Sequence, residues 1–465
     1  MQLDQQFILS VIPDAYFKTS ATVLSPHCTI DSRTAQSGET FIALSGSRVD
    51  GHDFIAEAIE RGVSGLVVQQ DRVDVLAKLD QSLYEKMSVL VVPDTYQALY
   101  QLAAAWRAQF SYPVIGITGS VGKTSTKELL SHVLHKAGKH HFASHGNQNT
   151  RIGIALNALK MQSDHEFAIF EMGVGMRGQM DEIAQIARPT TGAITMIGHS
   201  HLEGLGSIYD VAAEKRAIFN YFRESDVGII NGDQALLATV AYRNPIIKCG
   251  FKTTNQVQAR KVQVHGTKTY FLLKIYGRRH RVVLPTSHTG RLINTLACVS
   301  LAVHLGIDED VIVDAIQDEQ TVAGRYESIA LKDGKGVLIN DCYNASPESV
   351  KAALQAFHQL DTSGKKIAVL GDMLELGVNT RYWHRQLGRV LRNAPSVNRV
   401  IFVGDNVKSA RETAPINISV DVVSHWQEAA DAIKHEMDSE TAILVKGSRA
   451  LGLDGLVKQF AAKTI

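Results

Sequence analysis

Lys123 and Thr124 end the stretch Ile115-Gly116-Ile117-Thr118-Gly119-Ser120-Val121-Gly122-Lys123-Thr124, whose residue types suit the binding of a phosphate chain. An apolar run from Pro113 precedes it and a helical pattern starting near Ser125 follows, so it reads as strand, glycine loop, helix. Small residues let the backbone N–H groups of Gly119, Ser120, Val121 and Gly122 converge on an anion, and the helix N-terminus adds positive potential. Lys123 supplies a mobile charge and the Thr124 hydroxyl can face Mg²⁺. The spacing is G-x-x-G-K-T: the longer pattern asks for glycine at position 117, where the chain has Ile117. The expectation is nucleoside triphosphate binding.

Three further residues have side chains placed for chemistry. Glu171 closes the apolar run Phe167-Ala168-Ile169-Phe170 and suits Mg²⁺, which prefers hard oxygen donors; an ordinary strand-end carboxylate is the other reading. His201, in Gly198-His199-Ser200-His201-Leu202-Glu203-Gly204, lies just past a strand ending near Met196 and reads either as a site histidine or as a solvated loop residue. Lys215 falls in a helical segment over 212–222, where Ile218, Phe219 and Phe222 share its face. Burial lowers a lysine pKa, and a neutral amine reacts with CO₂ to give a carbamate, which turns a cation into an anionic oxygen ligand. The alternative is an ammonium that snorkels to water along its stem.

The elements that must position these residues fall into three blocks. The first runs to about Ala105, with strands expected at 40–44, 65–68 and 89–92 and a helix at 54–61; a helix over 95–110 then leads to the phosphate loop. The second continues to about Glu319, with buried strands expected at 167–170, 192–196 and 227–230, as in a mainly parallel sheet. The third has strands expected at 336–339, 366–370, 399–403 and 442–445 separated by helical sequence such as 348–360, a doubly wound pattern whose ligands gather at the carboxyl ends of the strands. The expected fold is thus α/β with three domains, 1–105, 106–319 and 320–465: a central P-loop ATPase-like parallel sheet and a C-terminal Rossmann-like domain after the first block.

Composition narrows the function classes. A chain of 465 residues has ample core-forming material for about three domains of ~150 residues each. Lys and Arg total 48 against 47 Asp and Glu, and a net charge of +1 makes no electrostatic case for nucleic acid or an anionic membrane. The N-terminus has no basic leader, and no run approaches the ~18 apolar residues of a membrane span, so the expected compartment is the cytoplasm. Cys28, Cys249, Cys298 and Cys342 are dispersed without metal-like spacing and read as reduced packing thiols.

The order Thr-Gly-x-x-Gly-Lys-Thr, then Glu-Met-Gly, then His-Leu-Glu-Gly-Leu-Gly-Ser, then a helix carrying Lys215 resembles the Mur ligase family. Asp31-Ser32-Arg33, Asp50-Gly51-His52-Asp53-Phe54, Gly146-Asn147-Gln148-Asn149, Asp341-Cys342-Tyr343-Asn344, Gly371-Asp372-Met373-Leu374-Glu375-Leu376-Gly377 and Lys446-Gly447-Ser448 fit its pattern in collinear order. The likeness is nearest to those members that add D-alanyl-D-alanine to UDP-N-acetylmuramoyl-tripeptide. It implies an ATP-dependent amide-forming ligase, expected to be a monomer, that works through an acyl phosphate in peptidoglycan precursor synthesis. The first domain would hold the UDP end of the substrate, with Ser32 and Arg33 as contacts, the second would hold ATP and metal, and the third would close over ATP and present the dipeptide.

By the same likeness Thr124 and Glu171 would serve one Mg²⁺, while Glu171, His201 and carbamylated Lys215 would serve a second. Lys123, His201 and Lys215 are the expected catalytic residues. Arg325 and Asp341 would be nucleotide contacts of the closing domain, with Asn294 near the adenine. Asn147, Asn149, Asn344, Lys446 and Ser448 would lie near substrate or the reacting phosphate. The chain departs from the family at Gly290 and Arg291, where a His-Asn pair is usual, at Asn340-Asp341, where paired aspartates are usual, at Cys342, where serine is usual, and at His199, a frequently acidic position. A sister ligase adding a diamino acid would carry Asp-Asn-Pro-Arg, which is absent. A folylpolyglutamate synthase would start closer to the phosphate loop, and a P-loop switch would leave Lys215 and the third block unexplained.

Overall fold

In the computed structural model, residues 3–318, 322–332, 336–434, 436–437 and 440–462 are described. Among the described residues the chain builds three larger sheets in sequence order, besides a two-stranded antiparallel ribbon of Leu3–Asp4 and Val23–Leu24. The first has five strands in the order Tyr16–Phe17, Ser88–Val92, Gly65–Gln69, Thr40–Ile42, Cys28–Thr29, parallel except at the Tyr16 edge. Helix Thr95–Ala108 then carries the chain to the central sheet.

The central sheet has nine strands, and Val114–Thr118, which delivers the phosphate loop, lies between Phe167–Glu171 and Thr191–Ile194. All three run parallel, so Gly119–Thr124, Glu171 and the 196–201 loop emerge at one edge, where ligands of such sheets bind. The registers also account for Ile117. It is an interior strand residue, paired to Glu171 on one side and Ala193 on the other and shut off from water, so the bend begins two residues later, at Gly119.

The far side of this sheet departs from the expected parallel pattern. Strands Val257–His265, Lys268–Ile275 and Arg278–Leu284 form an antiparallel meander that extends it. Alternation of inward and outward residues, without long apolar runs, is what half-buried antiparallel strands show, so this meander carries no continuous apolar segment as a sequence signal.

The third sheet has six strands, in the order Glu327–Ala330, Val337–Asn340, Ala442–Lys446, Lys366–Gly371, Arg399–Val403, Ser419–Val423, antiparallel only at the Glu327 edge. The expected boundary between 319 and 320 lies outside the described residues. The four cysteines are buried and unpaired, and burial pushes the Cys28 thiol up to about 12, as suits inert packing groups.

Candidate active site

The phosphate loop is shaped by two glycines. Gly122 takes φ 94° at the N-cap of helix Lys123–Lys136, and a Cβ there would sit 2.0 Å from Oδ1 of Asn294, so only glycine lets that amide close on the loop. A Cβ on Gly119, at φ 149°, would lie 2.0 Å from the Thr195 hydroxyl. That hydroxyl donates to the Val121 carbonyl at 2.6 Å, while Ser120 N–H donates to Met196 at 2.7 Å, which ties the loop to the strand beside it. The Lys123 ammonium donates to the Gly119 carbonyl at 2.9 Å and is thereby folded across its own loop. Burial holds the Lys123 amine below its ordinary range, an effect the Glu171 carboxylate opposes and the Arg325 guanidinium reinforces.

Glu171 is the last residue of its strand and only 2% exposed. One carboxylate oxygen accepts from the Asn149 amide at 2.8 Å; the other is buried and without a partner among the described residues. An anionic oxygen left bare inside a protein is costly. Its environment, beside the Lys123 charge, fits a hard cation ligand.

Lys215 is 1% exposed in helix Ile208–Arg216, whose first turn is set by a reciprocal capping box between Ser207 and Asp210. The expected helix over 212–222 ends earlier: the chain tightens into a 3₁₀ turn at Ala217–Phe219. Among the described residues no hydrogen bond or ion pair reaches the Lys215 amine. Burial holds its pKa well below that of an ordinary lysine, and the neighbouring Lys123 ammonium pushes the same way.

A cavity of about 470 Å³ opens over this loop, between the central and third sheets. It gathers Ser120, Val121, Gly122, Lys123 and Thr124 with Asn149, Glu171, His201 and Asn294, and from the third sheet Arg325, Asp341, Asn344 and Lys446. The two sheets touch where Arg325 donates to the Thr124 hydroxyl at 3.3 Å, its guanidinium stacked 3.9 Å over the Tyr343 ring. Asp341 pairs with the buried Lys446 ammonium at 2.7 Å and also accepts from Tyr326 N–H at 3.1 Å, while Lys446 donates to the Asn344 carbonyl at 3.0 Å.

Other expected site residues lie outside the cavity lining. Gly119 precedes the lining residue Ser120 in the loop, and Lys215 is near enough to the lining residue Lys123 to feel its charge. Asn147 contributes a carbonyl that accepts from Asn149 N–H at 2.7 Å, and the Ser448 hydroxyl accepts from Leu374 N–H at 2.9 Å, so both brace the loops around the site. Ser32 and Arg33 are in the first domain, where Ser32 donates to Glu57 at 2.7 Å and the exposed Arg33 folds back onto Asp31 at 2.7 Å.

Sequence reasoning missed the acids of the third domain that meet the 198–201 loop. His199 Nδ1 lies 2.6 Å from Glu348 and His201 Nδ1 lies 2.5 Å from Glu375. His199 thus meets an acid supplied by another domain. His288, which the sequence places at the start of the 288–294 stretch considered for adenine recognition but gives no role of its own, also lines the cavity: its ring stands edge-on to Tyr326 at 4.7 Å, its Nδ1 has no partner among the described residues, and burial lowers its pKa to about 4. The only local signal was its place two residues before Gly290, whose lack of a side chain leaves room for the imidazole.

Three family profiles match this chain in succession: "Mur ligase family, catalytic domain" over 27–107, "Mur ligase middle domain" over 117–302 and "Mur ligase, glutamate ligase domain" over 324–449. The UDP-N-acetylmuramoyl-tripeptide--D-alanyl-D-alanine ligase of Bacillus subtilis is 34% identical over 440 residues, covering 92% of this chain and 91% of its own. Among solved structures, MurF from Acinetobacter baumannii superposes with a TM-score of 0.86 at 27% identity, over 99% of this chain and 98% of its own. MurF ligase from Thermotoga maritima in complex with ADP gives 0.79 at 25% identity, over 93% and 96%. Full-length likeness, three successive domain matches and a phosphate loop facing the third sheet establish that the chain belongs to the Mur ligase family.

Proposed function

We propose that this protein is the ATP-dependent ligase that adds D-alanyl-D-alanine to UDP-N-acetylmuramoyl-tripeptide, acting as a cytoplasmic monomer in peptidoglycan precursor synthesis. The observation that carries the reading is one cavity shared by the phosphate loop and the third domain, with Arg325 on Thr124, in a chain of which a relative of that name covers 92%. The division of labour follows the three blocks 1–105, 106–319 and 320–465. Ser32 and Arg33 would face the UDP end of the substrate. Asn147, Asn149, Asn344, Lys446 and Ser448 would line or brace the substrate region.

A carboxylate oxygen of the tripeptide attacks the γ-phosphorus of ATP, ADP leaves, and an acyl phosphate forms. The dipeptide amine then attacks the acyl carbon, releasing phosphate and a proton as the amide bond forms. Two anions must first approach one another. Lys123 swings from the Gly119 carbonyl to the phosphates, and Arg325 adds positive charge from the opposite wall. Closure of the third domain over the loop keeps water from the acyl phosphate.

Thr124 and Glu171 would hold one Mg²⁺, and Glu171, His201 and a carbamate on Lys215 a second; bound there, the ions neutralise charge on the transferring phosphoryl oxygens. The unpartnered Glu171 oxygen supports that donor set. Burial favours the neutral Lys215 amine, whose lone pair bonds to CO₂ carbon with loss of a proton, leaving a carbamate oxygen anion.

The test is to incubate protein with Mg²⁺, ATP, UDP-N-acetylmuramoyl-tripeptide and D-alanyl-D-alanine. Phosphate release that requires both substrates and yields the pentapeptide is expected. Phosphate release indifferent to either substrate overturns the reading.

A further inference from the structure

The near-zero net charge conceals a segregated one. From Gln234 to Ile307 the chain has no Asp or Glu, where its average composition would place about seven, yet it has 11 Lys and Arg. Seven of those cations lie on the antiparallel meander Val257–Leu284 at the edge of the central sheet.

Alternation along the strands sorts the meander into two faces. Phe271, Leu273, Ile275, Val282 and Leu284 are buried in the core shared with helix Thr289–His304. The opposite parity, Tyr270, Leu272, Lys274, Arg279, Arg281 and Val283, is exposed or half-buried. Lys274 stands directly across from Arg279, while Leu272 lies between Arg260 on one neighbouring strand and Arg281 on the other. Among the described residues no carboxylate pairs with Arg260, Lys274, Arg279 or Arg281. The nearby Glu309 instead takes His280 at 2.9 Å and Arg278 at 3.8 Å. Like charges facing across strands repel, so the folded chain carries a cost that an external anionic surface would remove.

We infer that this outer face of the meander docks reversibly on an anionic lipid bilayer. Charge complementarity selects a polyanion, and the interleaved groups select lipid. Leu272 and Val283 offer aliphatic surface, and Tyr270 and the turn residue Tyr276, 39% and 51% exposed, are amphipathic rings suited to the headgroup layer. A single-stranded nucleic acid calls for adjacent aromatic platforms. Here the Tyr270 ring meets His265 edge-on at 5.8 Å, and its cross-strand partners are Val283 and Gln263.

The test is co-sedimentation of the full chain with vesicles. Binding to phosphatidylglycerol-containing vesicles at low salt is expected, with loss at high salt and none to pure phosphatidylcholine. The combined variant K274Q/R279Q/R281Q should lower partitioning onto anionic vesicles at least about tenfold and keep its ligase rate in solution, which reports an intact fold. The inference is overturned by equal binding to phosphatidylcholine, by a variant that binds as well as the parent, by no binding to anionic vesicles, or by single-stranded RNA of matched charge that strips the protein from them.

Discussion

Nδ1 of His201 lies 2.5 Å from a carboxylate oxygen of Glu375, which joins a loop of the central sheet to a loop of the third. Alongside, Glu203 N–H donates to the Glu375 carbonyl at 3.1 Å. Both residues take left-handed backbone conformations, φ 55° at His201 and φ 63° at Glu375, which non-glycine residues adopt at a cost. The Glu375 loop is in turn pinned by the Ser448 hydroxyl at Leu374 N–H and by His384 at Met373 N–H, 3.0 Å. The contact ties the orientation of a proposed metal ligand to the position of the third domain.

Glu375→Ala should therefore act through His201, lowering kcat/KM about tenfold or more and raising the Mg²⁺ concentration needed for half-maximal rate. Solution scattering should show a less compact protein. An unchanged Mg²⁺ requirement with unchanged scattering would remove Glu375 from this role. The hydrogen bond with His201 holds the Glu375 carboxyl below the usual carboxylate range. A depressed acid pKa stabilises the contact above the unfolded value of about 4.3 and loses that contribution as pH falls through the folded value. Glu375→Gln should flatten that acid response.

Lys215→Ala should abolish ligation while leaving nucleotide binding measurable. Added short carboxylic acids should restore part of the rate by standing in for the carbamate oxygens, and bicarbonate should do nothing for this variant. Near-normal turnover of Lys215→Ala would refute the carbamate.

His288 titrates at about 4 in the folded protein, below its ordinary value near 6.5. Between those values the unfolded chain binds a proton that the native state refuses, so stability falls as pH drops from about 6.5 to about 4, by at most about 1.4 kcal/mol per pH unit. Denaturant unfolding as a function of pH should show a shallower slope in His288→Gln. The same substitution should raise the KM for ATP if the ring borders the nucleotide; an unchanged KM places it outside that contact.

Asp341→Ala removes the partner of a buried ammonium and should destabilise the third domain by about 3 kcal/mol, read by urea unfolding. Adding Lys446→Met should recover much of that loss, because the stranded charge is gone. It should not recover ligation, since both groups line the cavity. A double variant as unstable as the single one would mean that Asp341 stabilises through Tyr326 N–H alone.

Strands of high apolar content were readable within a residue or two: 399–403 coincides with Arg399–Val403, and 167–170 stops one residue short of Phe167–Glu171. The meander 257–284 was not read because its inward residues alternate with Lys, Arg and Gln. Burial of Lys215 was legible from helical spacing, although the helix ends at Arg216 and the last turn tightens, which keeps Ile218 inside.

Sequence alone determined where single elements place their candidate groups: the glycine loop with Lys123 and Thr124 between a strand and a helix, Glu171 at a strand end, and Lys215 on the apolar face of a helix. Those depend on local spacing, which fixes which face a side chain takes. Only the tertiary structure decided the pairings of Arg325 with Thr124, Glu375 with His201 and Glu348 with His199, and the gathering of cations on one sheet face. These join residues 149 or more positions apart, or residues set side by side only by strand register. Contact across such distances follows from how sheets pack and which loops leave the same edge, and no local pattern encodes that.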